Sequence, residues 1–380
     1  MDASRSPSIS ADARAARTRA TQSGAVPLPA GAAPTSNSFR TTLGASYEVD
    51  FFGRYARASE AARADLLASE AGRDALLLAL TADVARGYFE LLALDARERT
   101  ALRALATRDS SLALYGKRLD AGVISEFELR QVEAEREAAR SQLAFLRQQK
   151  ERQGAQLGLL LGRSPRQLWE EKFNVAVTAD PFAEKIPLAV PEGLPSQLLE
   201  RRPDIRQAEQ QLIAANARIG LAQVANFPSV SLTGFLGTES AALSNLLSTP
   251  ANIVQLAAAA SVALFDGGRR DAQVEQARAR QRETLSIYEK AVQSSFADTR
   301  TALAAQSAAR ETYESESARA AALRRALALA QLRFESGLTS QIDVLDAERN
   351  LLVAELARLD ALAAQRAAVL ELVKALGGGW

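Results

Sequence analysis

LALYGKRLDAGVISEFELRQVE (residues 112–133) returns 215 positions later as LALAQLRFESGLTSQIDVLDAE (residues 327–348). Leu112, Ala113 and Leu114 fall on Leu327, Ala328 and Leu329; Arg118 falls on Arg333, Gly122 on Gly337, Ser125 on Ser340 and Glu133 on Glu348. Alanine and leucine matches are cheap in an alanine-rich chain, but glycine, serine and arginine matches at one constant offset are not. Both copies read as helix, turn, helix. A glycine interrupts each (Gly122, Gly337), and a serine then stands three residues before an acid: Ser125 before Glu128, and Ser340 before Asp343. That spacing is the capping box that starts a helix. A fixed offset over a long stretch marks an internal repeat, so the chain is two copies of one unit.

The offset carries outward without a gap. Arg54 falls on Arg269, Glu60 on Glu275, Asp83 on Asp298, and Leu161-Gly162 on Leu376-Gly377. Further upstream, Pro7-Ser8-Ile9-Ser10 resembles Pro228-Ser229-Val230-Ser231, with a small insertion in the first copy after it. Residues 54–119 and 269–334 contain no proline. Each reads as one helix, about 100 Å long at 1.5 Å per residue. Such lengths belong to coiled-coil or bundle helices. The shorter second helix of each unit runs to Gly162 or Gly377, and Gly377-Gly378-Gly379 is a stop signal.

Ahead of each long helix lie two segments of period two. In residues 39–50, Phe39, Leu43, Ala45, Tyr47 and Val49 alternate with Arg40, Thr42, Ser46, Glu48 and Asp50. Residues 8–15, 229–236 and 254–264 alternate similarly, and the connections hold turn residues such as Pro27, Pro29, Gly31 and Pro250. The organisation expected is a first β-hairpin (1–53), a long helical hairpin (54–162) and a proline-rich linker subdomain (163–194) with a strand-like patch at 173–177. A helix (195–227), a second β-hairpin (228–268) and a second long helical hairpin (269–380) follow. Gly53, Gly267 and Gly268 mark the joints where strand becomes helix, and Asp50 and Asp266 are placed to accept backbone N–H groups there. Arg201, Arg202 and Asp204 read as an exposed cluster at a helix start.

Composition narrows the function. The chain of 380 residues has no cysteine and no histidine. Disulfides, zinc sites of the usual kind and thiol or imidazole catalysis are therefore excluded. A carboxylate enzyme survives that filter, but no paired acids sit in an apolar context and no glycine-rich phosphate loop is present, so neither catalysis nor a cofactor or metal is expected. Lys plus Arg (46) balance Asp plus Glu (45), and the basic residues are not clustered, which argues against a nucleic-acid partner. The longest nearly apolar stretch, residues 253–265, is too short for a spanning helix of about 20 residues. Four amphipathic strands of barrel length cannot close alone, because outer-membrane barrels need at least eight. A barrel would have to be shared between chains and continued by the long helices as a tube.

These segments resemble the TolC-like outer-membrane factors, in the branch serving resistance-nodulation-division efflux pumps. The resemblance lies in YEVDFFGR (47–54), LPSQLLERRPDI (194–205), AEQQLIAANARIGLAQVANFPSVSLTG (208–234), LFDGGRR (264–270), SGLTSQIDVLDAERNLL (336–352) and ALGGGW (375–380). It implies a mainly α fold with two β-hairpins, assembled as a homotrimer with a twelve-stranded barrel in the outer-membrane lipid of a Gram-negative bacterium. The long antiparallel helical hairpins would form a periplasmic tunnel that docks on a periplasmic adaptor and an inner-membrane pump, exporting drugs, small molecules or metal ions.

Asp343 and Asp346 share a helix face. Read alone, Asp343 is a cap and Asp346 complements the helix dipole. The resemblance implies instead a periplasmic gate ringed by carboxylates, to which Glu128, the repeat counterpart of Asp343, would add. Gln131 matches Asp346, and Phe334 and Thr339 stand where relatives can carry a Tyr and Arg latch. Arg14, Arg17 and Arg19 are expected to line the pore or meet lipid headgroups. MDASRSPSIS, at residues 1–10, holds no apolar h-region, and no counterpart of the 195–227 helix precedes the first hairpin. The chain is therefore expected to lack an N-terminal portion of the full protein, with its signal peptide and lipid-acceptor cysteine. The rival reading, a helical adaptor without a pore, gives no reason for two pairs of barrel-length strands at equivalent repeat positions; a non-functional truncated gene product is a further alternative.

Overall fold

The computed structural model describes residues 5–21, 33–170 and 201–378. Its elements are β1 (Ser8–Arg19), β2 (Thr35–Val49), α1 (Arg54–Asp120), α2 (Glu126–Leu160), α3 (Pro165–Glu170), α4 (Pro203–Val224), β3 (Ser229–Ser240), β4 (Asn252–Ser261), α5 (Arg269–Glu335) and α6 (Gln341–Ala375). No helix among the described residues is long and apolar enough to cross a membrane. The strand-like patch at 173–177 lies outside the described residues.

The chain divides into two compact units, one of residues 1–70 with 207–290 and the other of residues 71–206 with 291–380. The first holds an antiparallel sheet of order β1-β2-β3-β4. The two hairpins are thus joined through a β2–β3 ladder, with Leu43 opposite Leu236 and Val49 opposite Val230. The first three strands extend beyond the alternating segments read from sequence. β4 instead stops at Ser261, three residues short of Leu264, because the chain must already turn toward the joint at Gly267.

Register sorts the side chains of the sheet by face. One face carries Ile9, Ala11, Ala13 and Ala15 of β1, then Phe39, Leu43, Ala45, Tyr47 and Val49 of β2. It continues with Val230, Leu232 and Leu236 of β3 and with Val254, Leu256, Ala258 and Ala260 of β4. The opposite face carries Asp12, Arg14, Arg40, Glu48 and Glu239 among serines and threonines. Arg40 lies 4.6 Å from the Phe235 ring centroid and 3.8 Å from Glu239.

The second unit is helical. It holds α2 and α6, each of 35 residues, and most of α1 and α5, each of 67 residues. Its core is built of small and aliphatic side chains, including Leu94, Ala101, Leu143 and Leu146 in one cluster and Ala302, Leu372, Ala375 and Leu376 in another. Alanine brings helix axes close, which suits long shallow seams. Many leucines nevertheless stay in solvent: Leu76, Leu329 and Leu332 are all at least 60% exposed.

Candidate functional site

The two helix–turn–helix tips are alike in geometry. Gly122 and Gly337 have φ of 71° and 72°, a left-handed conformation that glycine adopts without strain. The N–H of Val123 donates to Arg118 O at 2.9 Å, and that of Leu338 to Arg333 O at 2.8 Å. These bonds satisfy carbonyls that the ending helices leave open. In the first tip, Glu128 Oε2 accepts from Ser125 N at 2.7 Å and from Ser125 Oγ at 2.9 Å, while Glu128 N donates to Ser125 Oγ at 3.4 Å. In the second, Asp343 Oδ2 accepts from Ser340 N at 3.1 Å, from Ser340 Oγ at 2.8 Å and from the Thr339 hydroxyl.

These bonds set the electrostatics. The Ser125 backbone and hydroxyl hold the Glu128 carboxyl below its ordinary pKa. Thr339 and then Ser340 do the same for Asp343, with a smaller contribution from Arg333. Both acids are exposed and stay ionised at neutral pH. Asp346 is half-buried and bonded to Arg349 Nη2 at 2.6 Å. Arg349 also reaches Glu135 of α2 at 3.6 Å. No Tyr and Arg latch forms from Phe334 and Thr339: Thr339 is committed to Asp343, and Phe334 lies 6.0 Å from the Arg118 guanidinium, which also covers Tyr115 at 5.3 Å.

At the joints, Gly53, Gly267 and Gly268 have φ of 76°, 66° and 82°. Asp50 accepts from Ala56 N at 3.0 Å; Asp266 accepts from Gly268 N and Arg270 N, each at 3.1 Å. Both acids serve the helix starts, as their position before the glycines suggests.

Arg202 overturns the expectation of an exposed cluster. It is buried, and its guanidinium chelates Asp204 through Nε at 3.0 Å and Nη2 at 2.6 Å. Nη2 also donates to Asp298 on α5 at 3.2 Å, and Nη1 to the Ala375 carbonyl at the end of α6 at 3.1 Å. One planar fork thereby ties three helix segments, which a surface cluster read from local sequence cannot reveal. Sequence reasoning also missed the charge ladder of the first helical hairpin. Lys150 bonds Asp95 at 2.6 Å, Arg147 bonds Glu98 at 3.1 Å, and Arg136 bonds Asp109 at 2.8 Å. The members of each pair stand equally far on either side of the bond between Gly122 and Val123, and that mirror spacing was available as a signal.

Comparison with known protein families matches residues 1–163 and 194–378 to the family described as outer membrane efflux protein. This chain belongs to that family. It is 33% identical over 350 residues to the cation efflux system protein CusC of Escherichia coli O6:H1, covering 92% of this chain and 75% of that protein. It is 33% identical over 388 residues to the solvent efflux pump outer membrane protein SrpC of Pseudomonas putida, covering 100% of this chain and 78% of that protein. The solved open state of the Neisseria gonorrhoeae MtrE outer membrane channel superposes with a TM-score of 0.85 at 35% identity, covering 100% of this chain and 82% of that one. The protein is accordingly an outer-membrane efflux channel component of the Gram-negative type.

Proposed function

We propose that three copies of this chain join their four-stranded sheets into one twelve-stranded barrel. The observation that carries this reading is the sheet itself, apolar on one face, polar on the other, and with β1 and β4 each paired on one edge only among the described residues. Open edges invite pairing with another chain, and twelve strands exceed the minimum of eight. The exposed leucines of α1 and α5 support the same assembly, since unburied seams on long helices call for neighbouring helices. The matching lengths of the paired helices support two repeated units, divided into the six segments read from sequence. In this assembly the helical hairpins build a tunnel that meets a periplasmic adaptor and an inner-membrane pump. Cargo passes from the periplasm to the exterior, and its choice rests with the pump; relatives named for cation and for solvent efflux are compatible with a wide, weakly selective duct.

The tips form the gate. Threefold symmetry sets three Asp343 and three Asp346 carboxylates around one axis, with Glu128 adding charge at the neighbouring tips, so that the constriction attracts cations. Asp346 contributes less than Asp343, because Arg349 already compensates its charge. Asp343→Asn with Asp346→Asn, reconstituted in planar bilayers, is expected to weaken block by multivalent cations and to raise conductance. Unchanged block would leave both residues as helix caps alone.

A further inference from the structure

The apolar sheet face carries charge at one margin only. Register puts Arg17 opposite Asn37 and Arg19 opposite Thr35, on the face that continues through Ala15, Phe39 and Leu43. They are the only charged residues on that face among the described residues, and both are arginine; the opposite face mixes Asp12, Arg14, Arg40, Glu48 and Glu239. Both arginines are exposed, and neither has an ion-pair partner among the described residues. The connecting segment 20–34 holds no acid either.

Their height on the sheet fits a membrane boundary. Phe39 to Val49 spans ~34 Å along β2 at ~3.4 Å per residue, or ~26 Å across the bilayer at a tilt of about 40°, close to the ~25 Å apolar band of outer-membrane barrels. Arg17 and Arg19 lie two and four residues beyond Phe39, on the side of the interstrand connections. At the other margin, where the helices begin, stand the exposed rings of Phe51, Phe52, Phe227 and Phe265, with Phe52 stacked on Phe227 at 4.8 Å. Aromatic rings gather at such interfaces. Long connections of these barrels face outward, so the arginines reach the outer leaflet, with their alkyl stems over the apolar face and their guanidinium groups at headgroup level.

We propose that Arg17 and Arg19 form a docking surface for the phosphates of an anionic outer-leaflet lipid, the forked guanidinium matching phosphate oxygens in pairs. The inference rests on the barrel reading above and adds to it a lipid contact at named residues. The test titrates the full-length, detergent-solubilised protein with diphosphoryl lipid A and reads occupancy by native mass spectrometry. Arg17→Gln with Arg19→Gln is expected to weaken binding by roughly fivefold per charge, about 25-fold for the pair. Arg17→Lys with Arg19→Lys keeps most of the binding, and Arg14→Gln on the opposite face leaves it unchanged. Wild-type binding in the double Gln variant, or an equal loss in Arg14→Gln, overturns the proposal. Bilayer conductance of the same preparations separates the two readings: conduction with lipid binding indifferent to Arg17 and Arg19 sinks the lipid contact alone, whereas a wild-type chain that neither conducts nor requires detergent sinks both.

Discussion

Arg202 concentrates the energetics of one helix junction in a single side chain. Burial alone would lower its pKa, but the Asp204 and Asp298 carboxylates outweigh that and raise it. Burial likewise pushes Asp204 up, and Arg202 more than offsets it. Arg202→Met would leave the Ala375 carbonyl short of a donor and two acids short of a cation. Both acids keep some contact with water, so the expected loss is about 2 kcal/mol, below that of a fully buried pair. Thermal unfolding checks it, and Arg202→Lys should recover only part because an ammonium cannot chelate. Glu348 of α6 shows the opposite tendency. Burial raises its pKa, Arg108 opposes the rise, and Glu135 adds to it. A carboxyl whose pKa is higher in the folded state adds stability when protonated, and that contribution is lost as pH climbs from the unfolded value, about 4.3, through the raised one. Glu348→Gln mimics the neutral form. It should therefore raise the apparent melting temperature at pH 7 and leave it nearly unchanged at pH 4; an equal shift at both would mean that ionisation is not the cause.

At the scale of elements, the tips are where local sequence and structure agree most fully. Gly337 holds φ of 72°, and no heavy atom lies within 4 Å of where an alanine methyl would stand, so Gly337→Ala meets backbone strain without a clash. The expected cost is about 1 kcal/mol, with Gly122→Ala similar, each seen as a lower unfolding midpoint. The capping boxes, the turn glycines and the long proline-free helices were legible because they rest on short-range rules at fixed spacing. The amphipathic strands were legible from alternation, although their ends were not: β3 continues through Gly237 to Ser240, where Gly237 packs against the Thr41 carbonyl of β2, and pairing rather than pattern decides the limit. What local reading could not supply was contact across distance. The β2–β3 ladder joins residues about 190 positions apart, such as Tyr47 and Leu232, and Arg202 meets Ala375 from 173 positions away. The candidate gate was half legible: both caps could be read from sequence, whereas the pairing of Asp346 with Arg349, and of Arg349 with Glu135, depends on how α2 and α6 pack.

For the whole molecule, the deciding quantity is the apolar surface that the described residues leave exposed. Val254 and Leu256 of β4 are 75% and 87% exposed, and Leu76 of α1 is 69% exposed. The two environments differ in what they ask for. On the sheet, a lipid environment would satisfy the apolar face but not the outer backbone groups of β1 and β4, which in the proposed barrel pair with another strand. On the helices, water satisfies the charged residues but not the leucines, which need another helix. The proposed threefold ring would meet both demands at once, with β4 of one copy pairing with β1 of the next and neighbouring helices covering the seams. The protein should therefore be extracted only with detergent and run as a trimer by light scattering corrected for the bound micelle. Proline placed within β4, at Leu256→Pro, removes a ladder donor and bends the strand. It should abolish the trimer while the helical content seen by circular dichroism largely survives. A monodisperse monomer that stays in solution without detergent and unfolds cooperatively would show that the exposed surface is satisfied within one chain, and the shared barrel would have to be abandoned.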